Sequence, residues 1–145
     1  MGKLIKYAEY FMMAEFMKAK IAIFQKENGR EGVDFIFKTK SRIYHELYLQ
    51  SIELGQQRSV KIPKQQLGKL KDNLWIALVL LLEGEELGLF LIPSKTFETP
   101  DNYIFIDNPQ SERFAHLANW ETKVFKDGMD KLNEYQFVNQ VKNLI

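Results

Sequence analysis

Apolar positions repeat at helical spacing along residues 3–19. A stripe that recurs every three or four residues predicts one amphipathic helix packed on a core. Its members are Leu4, Ile5, Ala8, Phe11, Met12, Phe16 and Ala19. Glu15 falls inside the stripe and Glu9 at its edge. A carboxylate among core residues costs free energy unless it is paired or bound, so both acids are candidate site residues, although a tilted helix would bring them to water.

Further along the chain, apolar runs alternate with turn residues, a pattern typical of strands. Short strands are predicted at 20–25 and 33–37, on either side of a turn cluster at 27–32. A hairpin turn, "KTKS", then leads into a long strand at 42–54. These three strands follow the first helix directly.

The uninterrupted apolar run at 73–82 is typical of a central strand that is covered on both faces. A polar, basic loop at 55–62 and a short helix at 63–72, which opens on a proline, are predicted before it. The elements predicted after it are a strand at 87–92 that ends at Pro93, a short edge strand at 102–107, and a C-terminal helical region at 120–125 and 130–145 with Asn119 as its N-cap.

The order of these elements predicts an α/β fold in which one mixed sheet is flanked by helices and followed by a C-terminal helical extension. The length of 145 residues is that of a single domain. We expect its core at about residues 3–92 and the last strand and helices at about 102–145.

Composition excludes several classes of protein. The chain is 46% hydrophobic and 27% charged, as in ordinary globular proteins. It has no cysteine, which excludes a disulfide scaffold, a thiolate metal site and a cysteine nucleophile. No signal-peptide pattern opens the chain, and the apolar run at 74–82 is too short to span a bilayer. These features predict a cytoplasmic protein without a membrane partner.

Charge is distributed unevenly behind a net value of +1. Residues 1–72 carry +6 and residues 73–145 carry −5, so the first half can attract a polyanion such as nucleic acid. The candidate phosphate contacts are Arg58, Lys61, Lys64, Lys69 and Lys71. The alternative is a solvated amphipathic helix with Leu67 and Leu70 facing inward.

Carboxylates are the best candidates for chemistry. The chain has neither a GxxxxGK[ST] phosphate loop nor a GxGxxG motif after a strand. It has two histidines, His45 and His116, which is poor support for a histidine metal site or a serine triad. A helix glutamate, a strand aspartate and an acid on the next strand can together bind a hard cation such as Mg²⁺, which polarises a phosphate and activates water.

The sequence predicts, in order, a helix with a glutamate, then "GVDFIF", then a strand ending in "YLQS", then a basic helix and an apolar strand. The order of these elements resembles that of the PD-(D/E)xK nuclease superfamily. Within it, the chain resembles archaeal Holliday-junction resolvase-like domains and small bacterial relatives, and the resemblance covers roughly residues 5–92. It implies a restriction-endonuclease-like αβββαβ core, Mg²⁺ binding and cleavage of DNA phosphodiesters. It also implies that Glu9 is the helix acid and Asp34 the metal-binding aspartate.

The third strand departs from the family pattern. In the best alignment, "LYLQS" matches a "VQVKS"-like stretch, which puts Tyr48 at the acid-or-amide position and Gln50 at the lysine position. A shift of two residues puts Glu46 at the acid position and Tyr48 at the lysine position, so the lysine is missing either way. Loss of such a partner typically lowers the rate about 100-fold to 1000-fold. Lys38 or Lys61 would be the substitutes.

Three functions therefore compete. The first is a catalytically impaired nuclease-fold protein that binds nucleic acid or a partner through the former substrate face. The second is an active Mg²⁺-dependent DNA endonuclease with a non-standard site. The third is a homodimeric interaction module, in which Trp75, Trp120, Tyr103 and Phe105 bury a partner surface.

Overall fold

The structure is a computed structural model that describes residues 2–26 and 33–144. The turn predicted at 27–32 lies outside the described residues. The helices and strands are α1 (Gly2–Lys18), β1 (Ala22–Gln25), β2 (Phe35–Lys38), β3 (Tyr44–Leu54), β4 (Ser59–Pro63), α2 (Lys64–Leu67), β5 (Leu74–Leu82), β6 (Glu85–Pro93), β7 (Phe105–Asn108), β8 (Asn119–Lys123), α3 (Met129–Leu132) and α4 (Phe137–Gln140). Short 3-10 helices lie among and after the later elements, at Ser94–Glu98, Glu112–Leu117, Lys126–Gly128, Asn133–Tyr135 and Val141–Asn143.

Five strands form the main sheet in the order β1-β2-β3-β5-β6. Neighbouring strands are antiparallel, except that β3 and β5 pair in parallel. A parallel pair needs a crossover connection, which the chain makes through β4 and α2. The predicted α/β fold, with a mixed sheet flanked by helices and C-terminal helices behind it, is confirmed.

The first helix packs on one face of the main sheet. Ala8, Met12 and Phe16 of α1 are fully buried, and the same core cluster contains Phe37 and Leu47 from the sheet. The part of the predicted helical stripe that contains Ala8, Met12 and Phe16 is therefore the surface that joins α1 to the sheet. Side chains of β2 and β3 with the opposite parity point away from α1.

A second, three-stranded antiparallel sheet, in the order β4-β8-β7, covers part of the other face. Its buried residues Val60, Ile62 and Phe105 belong to the same core cluster as Tyr48 and Ile52 of β3. The later part of β3 is therefore enclosed between two sheets.

This second sheet corrects two predictions. The loop predicted at 55–62 contains most of β4, and the helix predicted at 120–125 is wrong because Asn119 begins β8 and caps no helix there. In β4, the buried Val60 and Ile62 flank the exposed Lys61, which is the period of a strand. Alternation over five residues is a weak signal for a strand, and the polar composition of this stretch favours a loop instead.

Two predicted helices are shorter than expected. The helix predicted at 63–72 ends at Leu67, because Gly68 has a φ of 80°, in the left-handed region that glycine adopts readily. The helical region predicted at 130–145 is divided into α3, α4 and 3-10 turns, and Phe137 joins the core beneath α1. No helix in the described ranges is long and apolar enough to cross a bilayer.

His45 lies in an aromatic cluster on the α1 side of the sheet. It is 8% exposed, stacks on Phe37 with ring centroids 4.8 Å apart, and accepts a hydrogen bond at Nδ1 from Trp75 Nε1 at 2.9 Å. Burial lowers the pKa of His45, and its acceptor role requires the neutral ring. His45 therefore resists protonation in the folded protein.

We expect the protein to lose stability as the pH falls below about 6.5, the ordinary histidine pKa. In that range His45 binds a proton in the unfolded chain but stays neutral in the folded chain, so protonation favours unfolding. Urea unfolding at pH 7.5 and 5.5 measures this loss. His45→Gln keeps an acceptor for Trp75 and should reduce the pH dependence, whereas the exposed His116→Gln should leave it in place. Equal dependence in both variants would contradict the assignment to His45.

Candidate nucleic-acid interface

Side chains from β1, β2 and β3 share the sheet face that points away from α1. Directly opposed residues lie on one face, and the register pairs Phe24 with Ile36, Ile36 with Glu46, and Lys38 with Tyr44. We call this surface the hairpin face and define it by those five residues and the flanking Lys26 and Asp34. The Lys26 amide donates to the Asp34 carbonyl at 2.6 Å, which extends the ladder to these two residues.

Two lysines surround Glu46 on the hairpin face. Lys71 Nζ lies 2.7 Å from one carboxylate oxygen, and Lys26 Nζ lies 3.8 Å from the other. The Glu46 side chain is only 17% exposed, so these cations lower the cost of keeping its charge at the surface of the core. Glu46 is thus held in a cluster of ammonium groups.

Of the next two positions on this face of β3, Tyr48 is buried and Gln50 is half-buried. Tyr48 is 7% exposed and packs in the core cluster with Ile52 and Ile62. Gln50 donates from Nε2 to the Lys61 carbonyl of β4 at 3.3 Å. The second sheet therefore lies over the positions that the family alignment assigns to the acid and the lysine.

The predicted metal ligands lie on different elements. Glu9 is half-buried on α1, which packs on the opposite face from Glu46, and Asp34 is exposed at the start of β2. Across residues 2–26 and 33–144, no three histidine, cysteine, aspartate or glutamate side chains gather into a group that could hold a metal ion. Glu9 and Glu46 therefore lie on opposite sides of the main sheet, and the roles of Glu9 and Asp34 as metal ligands stay predictions.

The five predicted phosphate contacts do not act alike. Lys64 pairs with Asp107 at 2.5 Å and lies over the Trp120 ring at 4.1 Å. Lys71 pairs with Glu46, as described above. Lys61 and Lys69 are exposed, and Lys61 stands opposite Glu121 on the outer surface of the second sheet. Two of the five thus have internal partners.

Arg58, the fifth, lines a groove of about 940 Å³ along β6, the opposite edge of the main sheet from β1. Most of the groove is apolar, with Leu54, Phe90, Phe125 and Met129 among its lining residues. Neither Asp34 nor Glu46 lines it. This groove is therefore separate from the hairpin face.

Sequence reasoning missed four residues of the hairpin face. Phe24 and Tyr44 are 50% and 56% exposed, Lys26 flanks Glu46, and Lys38 Nζ lies 5.4 Å from the centre of the Tyr44 ring. The sequence names Lys38 only as a substitute for the missing lysine, so what it misses is the place of Lys38 on this face. The signal that could have found them is the two-residue period of strands. All four residues have even numbers, as Glu46 does, and the register places the even-numbered residues of these strands on one face.

No protein-family model and no protein of curated function matches this chain. Among solved structures, it is similar to Hjc, a Holliday junction resolvase from the archaeal hyperthermophile Archaeoglobus fulgidus. The two share 12% sequence identity with a TM-score of 0.52, over 97% of this chain and 96% of that chain. At this identity the likeness establishes the fold, which is resolvase-like.

Proposed function

We propose that this protein binds nucleic acid through the hairpin face of its resolvase-like fold and does not cut it by the metal-dependent route of that fold. The surroundings of Glu46 and Tyr48 are the observation that supports the absence of metal-dependent cleavage. Glu46 is surrounded by the ammonium groups of Lys26 and Lys71, and Tyr48 is buried beneath the second sheet. A divalent cation would have to displace two lysines to reach Glu46.

Charge supports nucleic acid as the ligand. Lys40 and Arg42 are exposed in the turn between β2 and β3, at the end of the hairpin face that carries Lys38. Phosphate contacts by lysine and arginine release counterions, so the binding should weaken as salt increases and should show little dependence on base sequence.

The competing function is an active endonuclease. One observation favours it, since the amino groups beside Glu46 belong to Lys26 and Lys71, so a lysine is present near the acid although not at the family position. Against it, the described residues supply no group of three ligands for a cation. We therefore derive no reaction step through a metal.

One experiment separates these functions. Fluorescently labelled four-way junction, duplex and single-stranded DNA are incubated with the protein in Mg²⁺ or Mn²⁺, and binding and cleavage are both measured. We expect salt-sensitive binding without cleavage. Asp34→Asn should tighten binding a few-fold, because the exposed Asp34 repels phosphate and the amide does not.

Cleavage that disappears in Asp34→Asn would establish the endonuclease and overturn the proposal. Absence of binding to every DNA would also overturn it and would favour a protein partner. The matched control for the charge change is Asp130→Asn, because Asp130 is also exposed but lies on α3. Its affinity should equal that of the unmodified protein.

A further inference from the structure

Two aromatic rings stand in solvent on the hairpin face. Phe24 is 50% exposed and Tyr44 is 56% exposed, although each lies in a strand. Their neighbours of opposite parity, such as Phe37 and Leu47, are fully buried. These strands therefore have ample apolar residues for the core and still present aromatic rings on the other side.

The rings are spaced across the sheet. Phe24 is on β1 and Tyr44 on β3, so two strand spacings of about 5 Å separate them laterally. They are also one same-face step apart along the strands, about 7 Å, because Phe24 pairs with Ile36 whereas Tyr44 pairs with Lys38. Two separate flat groups can therefore lie on the sheet at once, joined by a short flexible backbone.

Cations surround the rings. Lys38 Nζ lies over the Tyr44 ring, 5.4 Å from its centre, and Lys26 is the next same-face position after Phe24. The exposed Lys40 and Arg42 extend the positive charge past Tyr44. Glu46 is already neutralised by Lys26 and Lys71. A ligand that fits both features has flat unsaturated rings strung along an anionic chain.

We propose that the hairpin face binds single-stranded nucleic acid, with bases stacked on Phe24 and Tyr44 and phosphates beside Lys38, Lys40 and Arg42, an assignment that rests on the nucleic-acid binding proposed above. A duplex hides the flat faces of its bases inside the helix, so rings on an open sheet reach them only in an unpaired strand. Stacking of this kind tolerates any base, because every base has a π-face.

Fluorescence anisotropy with labelled oligo-dT, oligo-U, a duplex and an abasic strand of equal length tests this assignment. We expect the single strands to bind more tightly than the duplex at equal salt. Phe24→Ala and Tyr44→Ala should each weaken single-strand binding about tenfold. They should leave the weak binding of the abasic strand unchanged, since that strand has phosphates without bases.

Two controls isolate stacking from other effects. Tyr44→Phe keeps the ring and should retain affinity. Tyr10→Ala removes a ring that is 69% exposed on α1, on the other side of the sheet, and should also retain affinity. Thermal melts of all variants confirm folding, which truncation of half-exposed side chains should preserve.

The outcomes separate the two proposals. If the protein binds duplex and single strands equally and both alanine variants bind normally, the stacking assignment is overturned while nucleic-acid binding stands. If no nucleic acid binds at all, both are overturned. Loss of affinity in the alanine variants for oligo-dT or oligo-U, but not for the abasic strand, establishes the stacking site.

Discussion

Phe37→Ala is expected to lower the free energy of unfolding by about 4 kcal/mol, the usual cost of truncating a buried phenylalanine. Phe37 is fully buried on β2. Its ring lies 5.1 Å from that of Phe16 on α1, 4.8 Å from that of His45 and 6.4 Å from that of Trp75. The cavity would thus open where α1, β2, β3 and β5 meet.

Urea denaturation followed by tryptophan fluorescence measures this loss, because Trp75 lies in the same cluster. Phe24→Ala is the control, as it removes the same side chain from an exposed position on the neighbouring strand and should cost less than 1 kcal/mol. A loss below 1 kcal/mol for Phe37→Ala would mean that the cluster is not packed as described.

Asp101→Ala is expected to destabilise the protein by about 2 kcal/mol, through hydrogen bonds to a charged acceptor. One carboxylate oxygen of Asp101 accepts from the backbone N–H groups of Tyr103, Ile104 and Phe105 at 2.9, 3.0 and 2.9 Å. Asn102, which lies between Asp101 and Tyr103, has a φ of 57°, a conformation that asparagine tolerates better than most residues. Asp101 therefore shapes the turn that leads into β7 and the second sheet.

The same carboxylate makes this turn sensitive to acid. Burial acts to raise the pKa of Asp101, but the three N–H donors and the Lys131 ammonium outweigh it and hold the pKa below its usual range. A lowered folded-state pKa gives stability that is present above the ordinary aspartate pKa of about 4 and is lost as the pH falls through the folded value.

Chemical denaturation at pH 7 and pH 3 tests both statements. The difference between the unmodified protein and Asp101→Ala should be about 2 kcal/mol at pH 7 and should shrink at pH 3. Asp130→Ala, at an exposed position on α3, should change stability by less than 0.5 kcal/mol at either pH. A constant difference across pH would show that the charge of Asp101 does not contribute.

The sequence predicts the main sheet well because its signals are long and local. The helical stripe of α1 extends over several turns, and the apolar run of β5 has no polar interruption. The sequence does not predict the second sheet, because its signals are short and non-local. Strands β4 and β8 have five residues each, and each is stabilised by a partner far along the chain, which no local pattern reveals.

For the candidate site, the sequence predicts which residues of β3 share a face but not what surrounds them. Strand period correctly places Glu46, Tyr48 and Gln50 on one face of β3. What surrounds Glu46 depends on Lys26 and Lys71, whose side chains arrive from β1 and from the segment before β5. Long flexible side chains that converge only after folding leave no spacing in the sequence, so a motif search finds the acid and misses its partners.

The pairing of β4 with β8 has a consequence for the order of folding. Residues 59–63 and 119–123 can pair only after the intervening chain has been synthesised, and this pair has the largest sequence separation among the strand pairs of the two sheets. During synthesis, the side of β3 that carries Ile52 therefore stays uncovered longer than the side beneath α1. A nascent chain that stalls before residue 119 would expose apolar surface on this side of β3. A chaperone that recognises apolar segments would bind the chain there.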